Sequence, residues 1–258
     1  MDKEARTFKN LRIFNAVMFV LHLVQGIAML LVSKDFQIPL TTTYLDFNIQ
    51  ARTVLPVTQE ALKLNLGQFI AVFLFLSAFF HFLIILPGIN EWYVKNLKKK
   101  INYLRWYEYA LSSSVMIVAI AILCGMFDLP SLILIFALNA TMNLFGLMME
   151  LHNQTTEKTN WTSYIFGCFA GIVPWVAVGM YFYGAVQSVS TNIPSFVYAI
   201  LASIFIFFNI FALNMFLQYK KVGPWKSYIF GERMYIILSL VAKSALAWQI
   251  FSGTLRPQ

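Results

Sequence analysis

Charge is what this sequence has least of. Only 12% of its 258 residues are Asp, Glu, Lys or Arg, where soluble domains carry about 25%. Apolar residues make up 59% and mean hydropathy is +0.69, so a soluble or disordered chain is excluded and an integral membrane protein is implied. Cysteine is nearly missing. Cys124 and Cys168 both fall inside apolar runs, where a thiol behaves as a small hydrophobe, and no metal-ligand spacing is present, so no metal is expected. No nucleophile–base constellation or phosphate loop supports an enzyme, and no repeat or low-complexity segment stands out. The charged start, MDKEARTFKNLRIF, lacks a small-residue cleavage site and reads as a retained tail.

What remains is apolar sequence broken at intervals by Gly, Pro and charge. The runs predict seven spans, at 13 to 32, 62 to 86, 100 to 125, 130 to 150, 163 to 184, 194 to 218 and 231 to 254. The expected fold is an all-α membrane protein, a seven-transmembrane-helix bundle in a single domain over residues 1 to 258. One connection, 33 to 61, is long. Its β-rich segments FQIPLTTTYLDF and RTVLPVT suggest a small β-hairpin on the membrane surface.

The basic residues fall on one side of this plan. Lys3, Arg6, Lys9, Arg12, Lys95, Lys98, Lys99, Lys100, Arg105, Lys158, Lys220, Lys221, Lys226 and Arg233 share the side of the N-terminus, and only Lys34, Arg52, Lys63 and Arg256 lie opposite. By the positive-inside rule the N-terminus is cytoplasmic, and the hairpin and C-terminus are extracellular, in a multi-pass protein of the cell membrane. The net charge of +8 is then explained by topology and contact with membrane lipids, with no nucleic acid.

Within the seventh run, SLVAKSALAWQIF holds a lone lysine, Lys243. It lies about 17 Å from either end of its span at ~1.5 Å per residue, and a charged lysine at a bilayer centre costs about 3 kcal/mol even on the lenient insertion scale. It needs a partner or a covalent use. Glu108 is the one carboxylate well inside a span, with Arg105 one turn before it and Ser112 one turn after. His22, His81 with Ser77 at i−4, and Ser239 four residues before Lys243 supply further polar groups, and an imidazole can hold water or a proton. Two uses of Lys243 stand open: a structural Lys–Glu pair, or an amine that links to an aldehyde. A large flat ligand would be walled by aromatics, with Tyr109, Trp175, Phe207, Phe208 and Trp248 available.

Four segments carry a resemblance. HF (His81, Phe82), EYALSSSVMIV (Glu108 to Val118), FGCFAGIVPW (Phe166 to Trp175) and GERMYIILSLVAKSALAWQIFSGTL (Gly231 to Leu255) resemble the heliorhodopsins, over nearly the whole chain. The resemblance implies all-trans retinal on Lys243 as a protonated Schiff base, with Glu108 as counterion and His22, His81, Ser77, Ser112, Ser239 and Arg105 around a polar cavity. It further implies a retinal pocket of Tyr109, Ser113, Met116, Asn139, Met142, Gly146, Pro174, Trp175, Phe208, Met215 and Trp248. The inverted orientation, a homodimer and a slow photocycle suited to sensing, with a cytoplasmic signalling partner, are also what the family implies. Ordinary pumps usually carry an aspartate where Ser239 stands.

Three activities compete: light sensing, proton pumping and a light-gated channel. Pumping needs an acceptor and usually a donor. The third span offers Glu108 alone, with Ala119 where pumps often have a carboxylate, and SVMIVAIAILCGMF gives little sign of a polar path. Sensing is the expected function. The charge count makes its own prediction: in intact cells a C-terminal tag should be accessible to antibody and an N-terminal tag only after permeabilisation, and the reverse pattern would overturn the orientation.

Overall fold

The computed structural model describes residues 3–50, 52–188 and 195–255. Arg256 and Pro194, the first residue of the expected sixth span, lie outside the described residues. Seven helices are long and apolar enough to cross a membrane. Helix α1 spans Lys3–Val32, α2 Leu66–Ile85, α4 Tyr103–Leu123, α5 Leu129–His152, α6 Thr162–Ser188, α7 Ser195–Tyr219 and α8 Tyr228–Ile250. An additional helix, α3 at Pro87–Lys98, follows α2. Strands β1, Gln37–Asn48, and β2, Thr53–Asn65, form the hairpin.

Helix ends follow local chemistry. The side chains of Asn65, Asn102, Asp128 and Ser227 accept from backbone N–H groups in the first turns of α2, α4, α5 and α8, meeting donors that have no partner within the helix. Pro87 stops α2, because its ring removes a donor, and starts α3, where that donor is not needed. The carbonyls released at this break are taken by side chains: Asn90 donates to Ile84 and Arg12 to Ile85, both at 3.0 Å. Helix α1 also runs about ten residues beyond the expected start at 13, and there Leu11 and Phe8 cluster with Tyr93 and Leu97 of α3.

The hairpin is larger than expected. It pairs antiparallel from Gln37 with Asn65 to Asn48 with Thr53, with a register shift between Leu40 and Thr41. Residues 62 to 65, expected at the head of the second span, are therefore strand; Leu62 to Leu64 pair with Leu40 to Ile38 and Asn65 caps α2. Ile38 and Leu40 are buried while Leu45 and Phe47 at the far end are exposed. Thr41 N donates to the Phe127 carbonyl at 2.8 Å, which ties the hairpin to the loop before α5.

Helix α4 runs through the middle, with 78% of its membrane window buried against 17% for α7. It packs on α2, α5 and α6, and its apolar half, Val115 to Ile122, joins the main core with Ile70, Phe73 and Leu74 of α2. Large apolar side chains such as Leu31, Leu134, Phe169 and Met180 point outward, as a lipid-facing surface requires. Close approach of α1 and α2 depends on Gly26, where a Cβ would lie 2.7 Å from the Phe75 ring. Gly26→Val should lower stability by about 1–3 kcal/mol through overpacking, seen as an earlier thermal unfolding midpoint in detergent; an unchanged midpoint would show that the two helices can separate without cost.

Candidate functional site

The intramembrane amine and carboxylate meet. Lys243 Nζ lies 2.6 Å from Glu108 Oε1 and donates to Ser239 Oγ at 2.7 Å. Ser77 Oγ sits 2.6 Å from the same carboxylate oxygen, and Ser112 is buried one turn further along α4, its hydroxyl without a hydrogen-bond partner among the described residues. Lys243 is 2% and Glu108 5% exposed, so neither charge is screened by water. His81 Nδ1 is 2.7 Å from Asn15 Oδ1. Its ring stacks on His22 with centroids 5.6 Å apart, and neither nitrogen of His22 finds a hydrogen-bond partner among the described residues.

A second charged layer lies at the end of the bundle away from the hairpin. Arg105 pairs with both Glu150 and Glu232 and stacks between the Trp106 and Tyr235 rings, 4.5 and 4.1 Å away. Donors from three elements hold the carboxylates: Trp106 Nε1 and Asn102 N reach Glu150 at 2.7 and 2.9 Å, Tyr228 reaches it at 3.0 Å, and Asn102 Nδ2 reaches Glu232 at 2.7 Å. Arg105, Glu232, Glu108, His81 and Ser239 line one cavity of about 30 Å3 between the layers, room for one or two waters.

On the other side of Tyr109 a larger cavity, about 350 Å3, opens between α4, α5, α6 and α7. The Tyr109 ring lies 5.3 Å from Lys243 Nζ, and the Tyr109 hydroxyl donates to the Tyr235 carbonyl at 2.9 Å. Trp106, Trp175, Phe208 and Phe211 supply aromatic walls. Gly146, Gly167 and Gly171 line the space as well. A Cβ at Gly146 would come within 2.3 Å of the Trp106 ring, and one at Gly171 within 2.5 Å of Met142 Sδ, so these walls meet only because two residues lack side chains.

The sequence matches the heliorhodopsin family over residues 11–255. The chain belongs to that family. It is accordingly a retinal photoreceptor-like membrane protein. No curated protein sequence matches it. Among solved structures it is similar to a light-driven proton pump from Leptosphaeria maculans, with 14% identity, TM-score 0.63 and 98% of each chain covered. Cyanorhodopsin from the cyanobacterium Tolypothrix sp. is similar at 12% identity and TM-score 0.61, over 98% of this chain and 96% of that one. At such identities the likeness is one of fold alone.

The heliorhodopsin residues expected from sequence are distributed unevenly. Tyr109, Met142, Gly146, Trp175, Phe208 and Met215 line the larger cavity. Ser113 and Asn139 instead form a hydrogen-bonded set with Ser114 and Asn143 between α4 and α5. Met116 is packed in the main core, Pro174 is buried within α6, and Phe207 does not line the cavity. Trp248 lies apart from the larger cavity. It is 36% exposed and bonds Gln25 on α1, because its position on α8 is five residues past Lys243, which turns it roughly 140° away at ~100° per residue.

Arg105 lies with Glu108, His81 and Ser239 around the small cavity, as expected of a polar-cavity residue. Its charge is held by Glu150 and Glu232, near helix ends in sequence yet only 1% and 0% exposed. Asn15 was missed too, although it lies seven residues before His22 and so on the same face of α1. Arg105→Gln would leave two carboxylates buried without their cation, and removing one member of a buried pair costs about 3–5 kcal/mol. The variant should unfold at markedly lower denaturant concentration than the parent; an equal midpoint would show that the Asn102, Trp106 and Tyr228 donors suffice alone.

Proposed function

We propose that this heliorhodopsin is a light sensor in which Lys243 carries the chromophore, Glu108 is the counterion, and no net ion transport occurs. The observation that carries the reading is the buried Lys243–Glu108 contact beside an aromatic-walled cavity. The residues fit a long, flat, apolar ligand: the cavity is narrow where Gly146 and Gly171 meet Trp106 and Met142, and its Tyr109 wall adjoins the amine. Bound to Lys243 as a protonated Schiff base, retinal supplies light absorption and the all-trans to 13-cis isomerisation.

The protein's own residues set the electrostatics. Glu108 offers its charge to Lys243 undivided, because Arg105 is occupied by two other carboxylates. A unit pair ~4 Å apart at an effective dielectric near 20 gains about 4 kcal/mol before desolvation is subtracted. Ser239 and Ser77 orient the pair from either side, and the stacked imidazoles of His22 and His81 lie close enough to hold a proton or water near it. Beyond Ser114, α4 presents only Val115 to Ile122 to the core, which leaves no carboxylate for a one-way proton path toward the hairpin. This favours sensing over pumping or channel gating. The chain acts as a single domain, and the basic face, with the N-terminus, lies in the cytoplasm, where a signalling partner reads the change; the family resemblance favours a homodimer.

Lys243→Ala should abolish the visible band formed when retinal is added to membranes, and a retained band would end this reading. Glu108→Gln should lose the visible band at neutral pH or keep it with a maximum that depends on chloride, since an external anion can occupy the vacated place; an unchanged maximum with and without chloride would assign the counterion elsewhere. Illuminated cells should show no sustained, protonophore-sensitive pH change, whereas a steady photocurrent in a planar bilayer would favour transport.

A further inference from the structure

The basic face holds a cavity that the retinal reading does not use. It measures about 270 Å3 and is lined by residues from the α3–α4 turn, the α5–α6 loop and the α7–α8 connection. Lys100, Lys221 and Lys226 border it, with Glu157 the one carboxylate among its lining residues, a balance of three positive charges against one negative. None of the three lysines forms an ion pair among the described residues.

Two features make this more than a solvated basic surface. Lys100 and Lys221 have φ of 61° and 53°; Arg52 is the one other non-glycine residue with positive φ among the described residues. The conformation is the common left-handed helix ending: Lys100 N and Ile101 N donate to the Leu97 and Asn96 carbonyls, and Lys221 N and Val222 N to those of Gln218 and Leu217. Glycine is the usual residue there, and lysine at both helix ends sets two cations at the rim of one cavity. Most of the neutral polar groups, meanwhile, are already engaged. Asn153 and Tyr219 donate to the Met149 carbonyl, Gln154 to the Glu150 carbonyl, Gln218 to the Tyr228 carbonyl, and Tyr228 to the Glu150 carboxylate. Donor capacity free for a ligand therefore sits mainly on the lysines, with the Thr159 hydroxyl beside them, and lysine ammoniums suit phosphate as point-charge donors.

We propose that this cavity is a binding site for a phosphate-bearing ligand. The phosphate oxygens accept from Lys100, Lys221 and Lys226, and the side chains of Trp225 and Tyr219 form its less polar wall. Two sources present the same chemistry: a phosphomonoester lipid headgroup in the adjoining leaflet, or a soluble phosphate compound. The site does not depend on retinal attachment.

The test uses the full chain in phosphatidylcholine nanodiscs. One arm titrates pyrophosphate; the other replaces part of the phosphatidylcholine with phosphatidic acid; both read the thermal unfolding midpoint, which a ligand bound only to the folded state raises. At least one probe should raise it saturably, and whichever does identifies the source. In Lys100→Asn/Lys221→Asn/Lys226→Gln, half-maximal effect should require at least tenfold more probe. Asparagine tolerates the left-handed backbone, so the loss reports charge and not strain. Lys226→Gln alone, at a position of ordinary φ, should weaken the response severalfold and Lys226→Arg should preserve it. No response to either probe, or equal responses in parent and variants, overturns the proposal.

Discussion

A lysine ammonium in the centre of a bilayer cannot be left alone, and most of the interior is arranged around that constraint. Lys243 and Glu108 neutralise each other at 2.6 Å. Because both are buried, either one without the other would be an uncompensated charge. The contact also fixes α8 against α4, and α4 is the helix that α2, α5 and α6 surround. A serine from α2 and one from α8 complete the set, so four helical turns on three helices must stay in register for a single ion pair to exist.

The second layer keeps the first one simple. Two cations, Lys243 and Arg105, face three carboxylates, Glu108, Glu150 and Glu232, and the excess negative charge lies with Arg105. There the indole of Trp106, the amide of Asn102 and the hydroxyl of Tyr228 hydrogen-bond it, as buried carboxylates demand. Were Arg105 to turn toward Glu108, it would weaken the claim of Lys243 on that charge. The Arg105 layer thus lies between Lys243 and the basic face, while the half of α4 nearer the hairpin is apolar.

Much of this was legible from residue patterns. Seven apolar runs separated by Gly, Pro and charge gave seven membrane-length helices, because a bilayer admits few alternatives to helices for backbone that water cannot reach. The hairpin was visible in its two β-rich segments, FQIPLTTTYLDF and RTVLPVT. What escaped was local continuation: α3 after Pro87, since a proline that ends one helix can equally begin another, and the strand residues 62 to 65, where Leu62 and Leu64 run on into the apolar helix that follows. Arg12 reaching Ile85 belongs to the same class, as a contact between residues 73 positions apart.

The single buried lysine, its one mid-span carboxylate and the serines spaced four residues from Lys243 and His81 were determined by sequence alone. Helical periodicity fixes which neighbours share a face, and the cost of burying charge leaves few pairings. The tertiary structure alone decided that Arg105 belongs to Glu150 and Glu232, that Trp248 faces α1, and that Gly146 and Gly171 admit Trp106 and Met142. Each of these depends on the rotation of one helix about its axis relative to another. That rotation is set by packing among many apolar side chains at once, and no local spacing encodes it.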